Sequence, residues 1–202
     1  MNSVLKSKDL SEMIYSILYK AESEPLEQKD LDRIKSLTIQ KTGISGKPTD
    51  IDAREIGKFS NVEHIIINGF EIDDELLEII NRLERLRTIQ FTKSRINTQK
   101  SFSSLLEYEI FDRCEGLGQT VGNSKKIKIV GQNKSSLDLN TLGDLSQVEE
   151  LDLNDLSVSN ISRVQQMSSL ETLDLSGSNI DDSSSIARLP IKTRLDDEYL
   201  II

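Results

Sequence analysis

The sequence is poor in cysteine, histidine and aromatic residues. Its 202 residues include one cysteine, one histidine, no tryptophan, five phenylalanines and four tyrosines. A single cysteine excludes both an intramolecular disulfide and a zinc cluster of several thiolates. A large globular core usually takes much of its bulk from aromatic rings. Leucine and isoleucine must fill this interior, which suits thin repeated layers better than one large core.

Long basic runs and long apolar stretches are lacking as well. Lysine and arginine total 25 against 34 aspartates and glutamates, which gives a net charge of −9. Nucleic acid and anionic membrane surfaces are therefore not expected as partners. No stretch is long enough to span a membrane, and charged residues between positions 6 and 12 make the N-terminus unlike a signal peptide. We expect a cytoplasmic location, with secretion by a non-classical route left open.

The sequence does contain a repeated apolar template. Its clearest copy is Leu170–Ile180, with apolar residues at template positions one, four, six and eleven. Successive copies start 19 to 28 residues apart, and two of them are weak. The copies before the clearest one start at Ile34, Val62, Leu86, Leu105 (weak), Ser124 (weak) and Val148.

The template predicts one strand in each copy. Positions four and six alternate with polar residues, as in a half-buried strand. One unit cannot bury its apolar residues alone, so stacked units form a parallel sheet with a continuous interior. An apolar residue at every third position from Ile161 to Leu173 predicts 3₁₀-like return turns, whereas Asp73–Leu83 has helical spacing. The predicted strands are Leu37–Ile39, Ile65–Ile67, Ile89–Phe91, Leu151–Leu153 and Leu173–Leu175.

The ends of the chain differ from the middle and are predicted to act as caps. An amphipathic helix is predicted over Asp9–Lys20. Lys192 falls in an apolar slot and Asp197 in a strand slot, so the repeat is expected to have ended before them. The predicted divisions are an N-terminal helical cap at 1–33, about seven repeats at 34–191 with an irregular part at 97–132, and a C-terminal cap or tail at 192–202.

These residues resemble bacterial leucine-rich-repeat proteins of the internalin-like type, which share the short repeat class of SDS22-like proteins. The segment Gln28–Leu37 resembles that family's junction between cap and first repeat, and Leu170–Ile180 resembles its core repeat. The resemblance implies an α/β solenoid, a right-handed superhelix with a parallel sheet on its concave side. Such a motif is specific for fold and weak for function.

The sequence departs from this family at template position nine, where the family usually has asparagine. Hydroxyl groups of serine and threonine, or water, are expected to satisfy the backbone groups that the asparagines would bond. The residues assigned to position nine are Thr42, Phe70, Ser94, Arg113, Gln132, Leu156 and Ser178.

The residues do not favour catalysis. His64 and Cys114 are assigned to repeats two apart, about 10 Å from each other at ordinary strand spacing, which is beyond hydrogen-bond reach. Adjacent carboxylates such as Asp73 and Asp74 are interpreted as caps and turn starts. We therefore expect no enzyme activity, no metal and no cofactor.

The polar positions of the strands are the best candidate site, because in this kind of fold they face the concavity. The sequence favours a protein–protein interaction module whose partner carries a basic patch, since the later strands are mostly acidic. An immunity-type or regulatory inhibitor of an enzyme, or the recognition fragment of a larger protein, stays open, as does the oligomeric state. The candidate residues are His64, Asn68, Gln90, Thr92, Glu107, Glu109, Lys126, Lys128, Glu150, Asp152, Asn154, Asp155, Thr172 and Asp174.

Overall fold

The computed structural model describes residues 4–43, 46–102, 106–187, 189–195 and 198–201. Its α-helices are α1 Lys8–Leu18, α2 Gln28–Leu31 and α3 Asp74–Asn81. Its strands are β1 Ser36–Gln40, β2 His64–Asn68, β3 Glu71–Ile72, β4 Thr88–Thr92, β5 Arg95–Ile96, β6 Tyr108–Asp112, β7 Lys126–Asp138, β8 Glu150–Ser159, β9 Thr172–Asp174, β10 Asn179–Ile180, β11 Lys192–Leu195 and β12 Glu198–Ile201. Short 3₁₀ helices lie at Ala53–Lys58, Leu139–Thr141, Ile161–Gln166 and Ser183–Ser185.

One sheet runs through all the repeats. Its strands follow the order β1, β2, β4, β6, β7, β8, β9 and β11, each parallel to its neighbours. Four of the predicted strands lie within β1, β2, β4 and β8, and the fifth lies in β9 except for Leu175, which follows the strand. The prediction of a parallel solenoid is confirmed.

A second, shorter ladder forms where each coil leaves the sheet. Strand β3 pairs in parallel with β5, and the second half of β7 and then β10 pair in parallel with β8. The residue at template position eight, in the turn before this ladder, has a left-handed backbone in six successive repeats. These residues are Gly69, Lys93, Arg113, Lys134, Asp155 and Gly177, with φ between 48° and 80°.

Serine hydroxyls take the place of the missing asparagines at position nine. The Ser94 hydroxyl accepts from the Phe70 amide at 3.3 Å and donates to a carbonyl at 3.0 Å. The Ser178 hydroxyl accepts from the Leu156 amide at 2.9 Å and donates to the Leu153 carbonyl at 2.8 Å. In both cases a side chain fastens its own repeat to the one before it, as the sequence predicted.

The N-terminal cap is tied to the first repeat by two carboxylates. Asp50 accepts hydrogen bonds from the Lys8 amide at 2.8 Å and from the Ser7 hydroxyl at 2.8 Å. Glu55 accepts from the amides of Lys6 and Ser7 at 2.8 and 2.9 Å. Hydrogen bonds from the Asp9 amide, the Lys8 amide and the Ser7 hydroxyl lower the pKa of Asp50. The helix start therefore docks on an anion, which complements its partial positive charge.

The return segments take the two forms that the spacing predicted. Helix α3 begins after Asp73, whose side chain accepts from the Leu76 amide, and it buries Leu76, Leu77 and Ile80. The segment after Asn160, which has an apolar residue at every third position, forms the 3₁₀ helix Ile161–Gln166. The convex side therefore combines an α-helix with tighter turns.

The predicted register of the fourth repeat is wrong by one residue. Glu109 and Phe111 are buried, in register with Ile89 and Phe91 of β4. Tyr108 and Ile110, which the template had turned inward, lie on the other face of β6. A one-residue slip exchanges the two faces of a strand, because side chains alternate. The repeat starts at Leu106, and the predicted start Leu105 lies outside the described residues.

The parallel ladder also continues past residue 191, where the repeats were expected to end. Strand β11 pairs in parallel with β9, and its Thr193 is buried beside Leu173. Lys192 starts this strand with an exposed side chain, whereas Asp197 lies outside the described residues. Strand β12 then pairs antiparallel with β11. Strand β12 therefore departs from the parallel order of the other strands in this sheet.

Candidate functional site

The concave face consists of the outward side chains at template positions three, five and seven. These positions alternate with the buried ones along every strand of the main sheet. In strand order the face comprises Ser36, Thr38, Gln40; His64, Ile66, Asn68; Thr88, Gln90, Thr92; Tyr108, Ile110, Asp112; Lys126, Lys128, Val130; Glu150, Asp152, Asn154; Thr172, Asp174, Ser176; and Lys192, Arg194.

Most candidates from the sequence lie on this face, and three do not. Glu107 lies one residue before β6, at the edge, with its carboxylate 3.7 Å from Arg87. Asp155 lies at the opposite edge, in the turn where its φ is 55°. Glu109 is inside the solenoid. The candidates on the face are His64, Asn68, Gln90, Thr92, Lys126, Lys128, Glu150, Asp152, Asn154, Thr172 and Asp174.

The prediction that Glu109 lies on the concave face is wrong, because its side chain is completely buried at 0% exposure. Burial raises its pKa to about 8, while hydrogen bonds from the Gly122 amide and the Ser124 hydroxyl oppose this shift. The second carboxyl oxygen, Oε1, has no hydrogen-bond partner among the described residues. Glu109 is therefore protonated at neutral pH and belongs to the interior.

The same correction places an aromatic and an aliphatic residue at the centre of the concave face. Tyr108 and Ile110 are only partly buried there. Val130 on β7 lies diagonally across from Ile110, and Ile66 on β2 lies two strands away, with Gln90 of β4 between them. Burial raises the pKa of Tyr108, and the carboxylates of Asp152 and Glu150 raise it further. The sequence missed this register because Tyr108 and Ile110 are together more apolar than Glu109 and Phe111. We call Ile66, Tyr108, Ile110 and Val130 the central cluster.

The C-terminal half of the face carries its charges in pairs. Lys126 Nζ lies 2.6 Å from Glu150 Oε1, and Arg194 lies 3.6 Å from Asp174. Lys128 lies 4.0 Å from Asp152. These carboxylates are not the open acidic patch that the sequence suggested, because each faces a cation on an adjacent strand.

Two of these carboxylates are nevertheless close to each other. Asp152 on β8 is in register with Asp174 on β9. Burial raises the pKa of Asp152, the Lys128 ammonium opposes that shift, and the charges of Asp174 and Glu150 add to it. Like charges side by side on a sheet are unfavourable. This part of the face would gain most from an additional cation.

The edge of the sheet before the strands carries alternating charges, and we call it the rim ladder. Its ion pairs join successive repeats: Lys35 with Glu63 at 2.8 Å, Arg87 with Glu107 at 3.7 Å and Lys125 with Glu149 at 2.8 Å. Exposed pairs of this kind contribute little to stability. They leave this edge locally neutral, so the rim ladder does not steer a charged partner.

His64 and Cys114 are the two residues that the sequence analysis weighed for catalysis. His64 is exposed on β2, whereas burial raises the pKa of the Cys114 thiol to about 11. A thiol with that pKa is a poor nucleophile at neutral pH. In the described part of the chain, no group of three or more histidines, cysteines or carboxylates could hold a metal ion. No helix in that part is long and apolar enough to cross a membrane.

No protein-family model matches this chain, and no curated protein sequence matches it either. Among solved structures, internalin C2 from Listeria monocytogenes matches 95% of this chain and 94% of its own, with a TM-score of 0.53 and 16% identity. The internalin InlF of the same organism matches 95% of this chain and 69% of its own, with a TM-score of 0.46 and 18% identity. The likeness to internalin C2 shows the leucine-rich-repeat fold, which confirms the resemblance inferred from the repeats. At this identity it assigns no function.

Proposed function

We propose that this chain is a protein-recognition module that binds a partner protein on its concave face. The observation that supports this most is the central cluster, in which a tyrosine and three aliphatic residues lie partly exposed in the middle of a continuous sheet. Tyrosine is enriched at interface hot spots, which gather near the middle of a patch. Gln90 lies between Ile66 and Ile110, and Thr88 lies beside Tyr108, so polar groups next to the apolar side chains are available for hydrogen bonds to the partner.

The partner that fits this face carries basic residues next to an apolar patch. The adjacent Asp152 and Asp174 would gain from a cation, and the net charge of −9 attracts basic proteins over longer distances. The same charge disfavours nucleic acid and anionic membranes. A non-catalytic role and a cytoplasmic location are part of this proposal.

Capture of the partner tests the proposal with a matched pair of double variants. The concave variant carries Tyr108→Ala and Ile110→Ala. The control carries Ile17→Ala in α1 and Tyr19→Ala directly after it, which remove the same two residue types where they are 45% and 97% exposed. We expect the concave variant to bind at least about ten-fold more weakly and the control to bind normally. Equal binding by the two variants would contradict the proposal.

Charge reversal tests the chemistry of the partner separately. Asp152→Lys with Asp174→Lys should slow association about ten-fold at low salt, and less at high salt, because the attraction is electrostatic. Glu22→Lys with Glu24→Lys changes the same net charge in the exposed loop after α1 and is the control. Equal slowing by both pairs would mean general attraction to the whole chain. A partner that proves to be a single enzyme and loses activity on binding would identify the chain as an inhibitor.

A further inference from the structure

The second ladder is interrupted between the fourth and fifth repeats. On one side of the break, Glu115 forms a parallel bridge with Arg95. On the other side, Ser135–Asp138 pairs only with Leu156–Ser159 of β8. Residues 106–187 are all described, and within them no pairing joins the segment 114–118 to 135–138. The second half of β7 therefore presents one open edge.

Two features of the sequence produce this break. An insertion after Val130 displaces the second half of β7, and Asn133 and Lys134 in it both have left-handed backbones. Template position eleven of the fourth repeat is Gly116, where φ is 74° and an added Cβ would lie 2.2 Å from the Ile96 carbonyl oxygen. The other described repeats supply an aliphatic residue at that position: Ile72, Ile96, Leu137, Val158 and Ile180.

A cleft of about 460 Å³ lies at the break. Leu117, Leu137 and Leu156 provide apolar lining, and Ser135 and Ser136 line the side formed by β7. The charged residues in the lining are two carboxylates, one before Gly116 and one at the end of β7. These are Glu115 and Asp138, and neither forms an ion pair within the described residues.

We propose that this cleft binds an extended segment of a partner protein, which pairs with the open edge of Ser135–Asp138. An aliphatic side chain of that segment packs against Leu117, Leu137 and Leu156, and flanking lysine or arginine residues face Glu115 and Asp138. Open strand edges are templates for added strands, with backbone bonds giving affinity and alternate side chains giving specificity. Val130 is the one residue that the cleft's lining shares with the concave face, and the open edge Ser135–Asp138 lies outside that face, so this proposal does not rest on the proposed function.

The probe is an end-capped fluorescent peptide, Lys-Thr-Ile-Thr-Lys, titrated against the full chain by fluorescence anisotropy. We expect saturable binding with a dissociation constant of about 10⁻⁴ M, which is typical of a short flexible ligand that must be ordered. Replacing its isoleucine by glycine, or methylating its backbone amides, should weaken binding at least about ten-fold. Absence of saturable binding at about 1 mM peptide, or equal binding by all three peptides, would overturn the proposal.

Two matched pairs of variants test whether the peptide binds in the cleft. Ser136→Phe fills the cleft and should weaken binding about ten-fold, whereas Ser157→Phe makes the same change one strand away on β8, outside the cleft. Glu115→Lys should weaken binding several-fold, while Glu71→Lys changes an exposed glutamate at the same template position in the second repeat. The charge pair keeps the test decisive if Ser136→Phe does not fold. Equal effects within each pair would overturn the proposal.

Amide hydrogen exchange gives a readout at the open edge itself. Bound peptide should slow exchange within Ser135–Asp138 and leave Thr172–Asp174 of β9 unchanged. Slowing at the concave strands instead would place the peptide on the concave face and overturn the assignment to the cleft.

Discussion

The third and fourth repeats share a backbone and differ in what they place inside it. Strands β4 and β6 pair residue by residue, and both repeats have a left-handed residue eight positions into the template. The third repeat buries Leu86, Ile89, Phe91 and Ile96 at its template positions. The fourth has Leu106, Glu109, Phe111 and Gly116 at the same positions. The main ladder between β4 and β6 therefore accepts a carboxyl group without losing its register, whereas the second ladder is interrupted after Gly116.

Aromatic packing lies next to these two irregular positions. The Phe91 and Phe111 rings stack with centroids 5.7 Å apart, and Phe102 stacks on Phe91 at 5.6 Å. Aromatic pairs stabilise by more than the area they bury. In a chain with five phenylalanines, three of them gather at the junction of the third and fourth repeats. Aromatic contacts with the third repeat therefore stabilise the fourth repeat, and its concave face carries Tyr108 and Ile110.

The largest effect should come from placing a carboxylate in a regular repeat. Leu153 is completely buried in β8. Leu153→Asp should therefore destabilise the chain by several kcal/mol, about 3 or more, in urea unfolding. Ser157→Asp adds the same charge at an exposed position of the same strand and should change little. Similar losses from both would contradict the assigned faces of β8.

The reverse change, in which an aliphatic residue replaces the buried Glu109, should stabilise the fourth repeat by an amount that depends on pH. Folded Glu109 keeps its proton to about pH 8, whereas in the unfolded chain it ionises near the ordinary value of 4.5. Stability is therefore lost as pH rises from about 5 to about 8.5, on the order of 4 kcal/mol in total. Glu109→Ile should remove that loss, so its advantage over wild type should be larger at pH 9 than at pH 5.

The isosteric variant Glu109→Gln separates charge from shape in this comparison, and Glu107→Gln is the surface control. Chemical denaturation at both pH values measures all three variants. An advantage of Glu109→Ile that is the same at pH 5 and pH 9 would mean that the carboxyl group is not buried.

Smaller losses of stability are expected when the position-nine side chains are removed, and the loss should be larger for the serine of the third repeat than for the cysteine of the fourth. Ser94 in the third repeat bonds the repeat before it, while the corresponding residue of the fourth repeat is Cys114, whose sulfur accepts from the Ser94 amide. Ser94→Ala should cost about 1–2 kcal/mol, because it leaves a backbone amide without its partner. Cys114→Ala should cost less, since sulfur forms weaker hydrogen bonds. The reverse order in thermal melts would show that these side chains do not act as repeat-to-repeat fasteners.

The smallest effect should come from the rim ladder. Glu107 lies between the cations Arg87 and Lys125 of the neighbouring repeats. Glu107→Lys places three cations in a row and should lower the melting temperature by about 1–3 °C at low salt. The difference should shrink in about 1 M salt because exposed charges are screened. A shift independent of salt would mean that Glu107 contributes by packing.

The sequence was informative where apolar residues were unambiguous. Leu37, Ile39, Leu151 and Leu153 have polar neighbours on both sides, so only one register buries them. In the fourth repeat, Tyr108 and Ile110 compete with Glu109 and Phe111 for the same interior, and the first pair is the more apolar. The register there is set by hydrogen bonding to β4 and β7, which a single segment does not reveal. The last parallel strand was missed as well, because the polar residue Thr193 occupies its buried position beside Leu173.

The placement of the candidate site residues depended on the register predicted for each strand. Polar residues such as Gln90 and Asp152 were placed on the concave face because their apolar neighbours were placed correctly. Tyr108 and Ile110 were missed because the slip had turned them inward. The pairing of Lys126 with Glu150 depends on adjacent strands being in register, which only the assembled sheet provides.

The ionisation of Glu109 tests most directly whether the fourth repeat presents Tyr108 and Ile110 to a partner. A carbon-detected NMR titration of its side-chain carboxyl would follow that group alone. A midpoint near pH 8 is expected if Glu109 lies inside the solenoid. A midpoint near the ordinary glutamate value of 4.5 would place Glu109 on the concave face and the tyrosine and isoleucine inside, and it would remove the central cluster on which the proposed function rests.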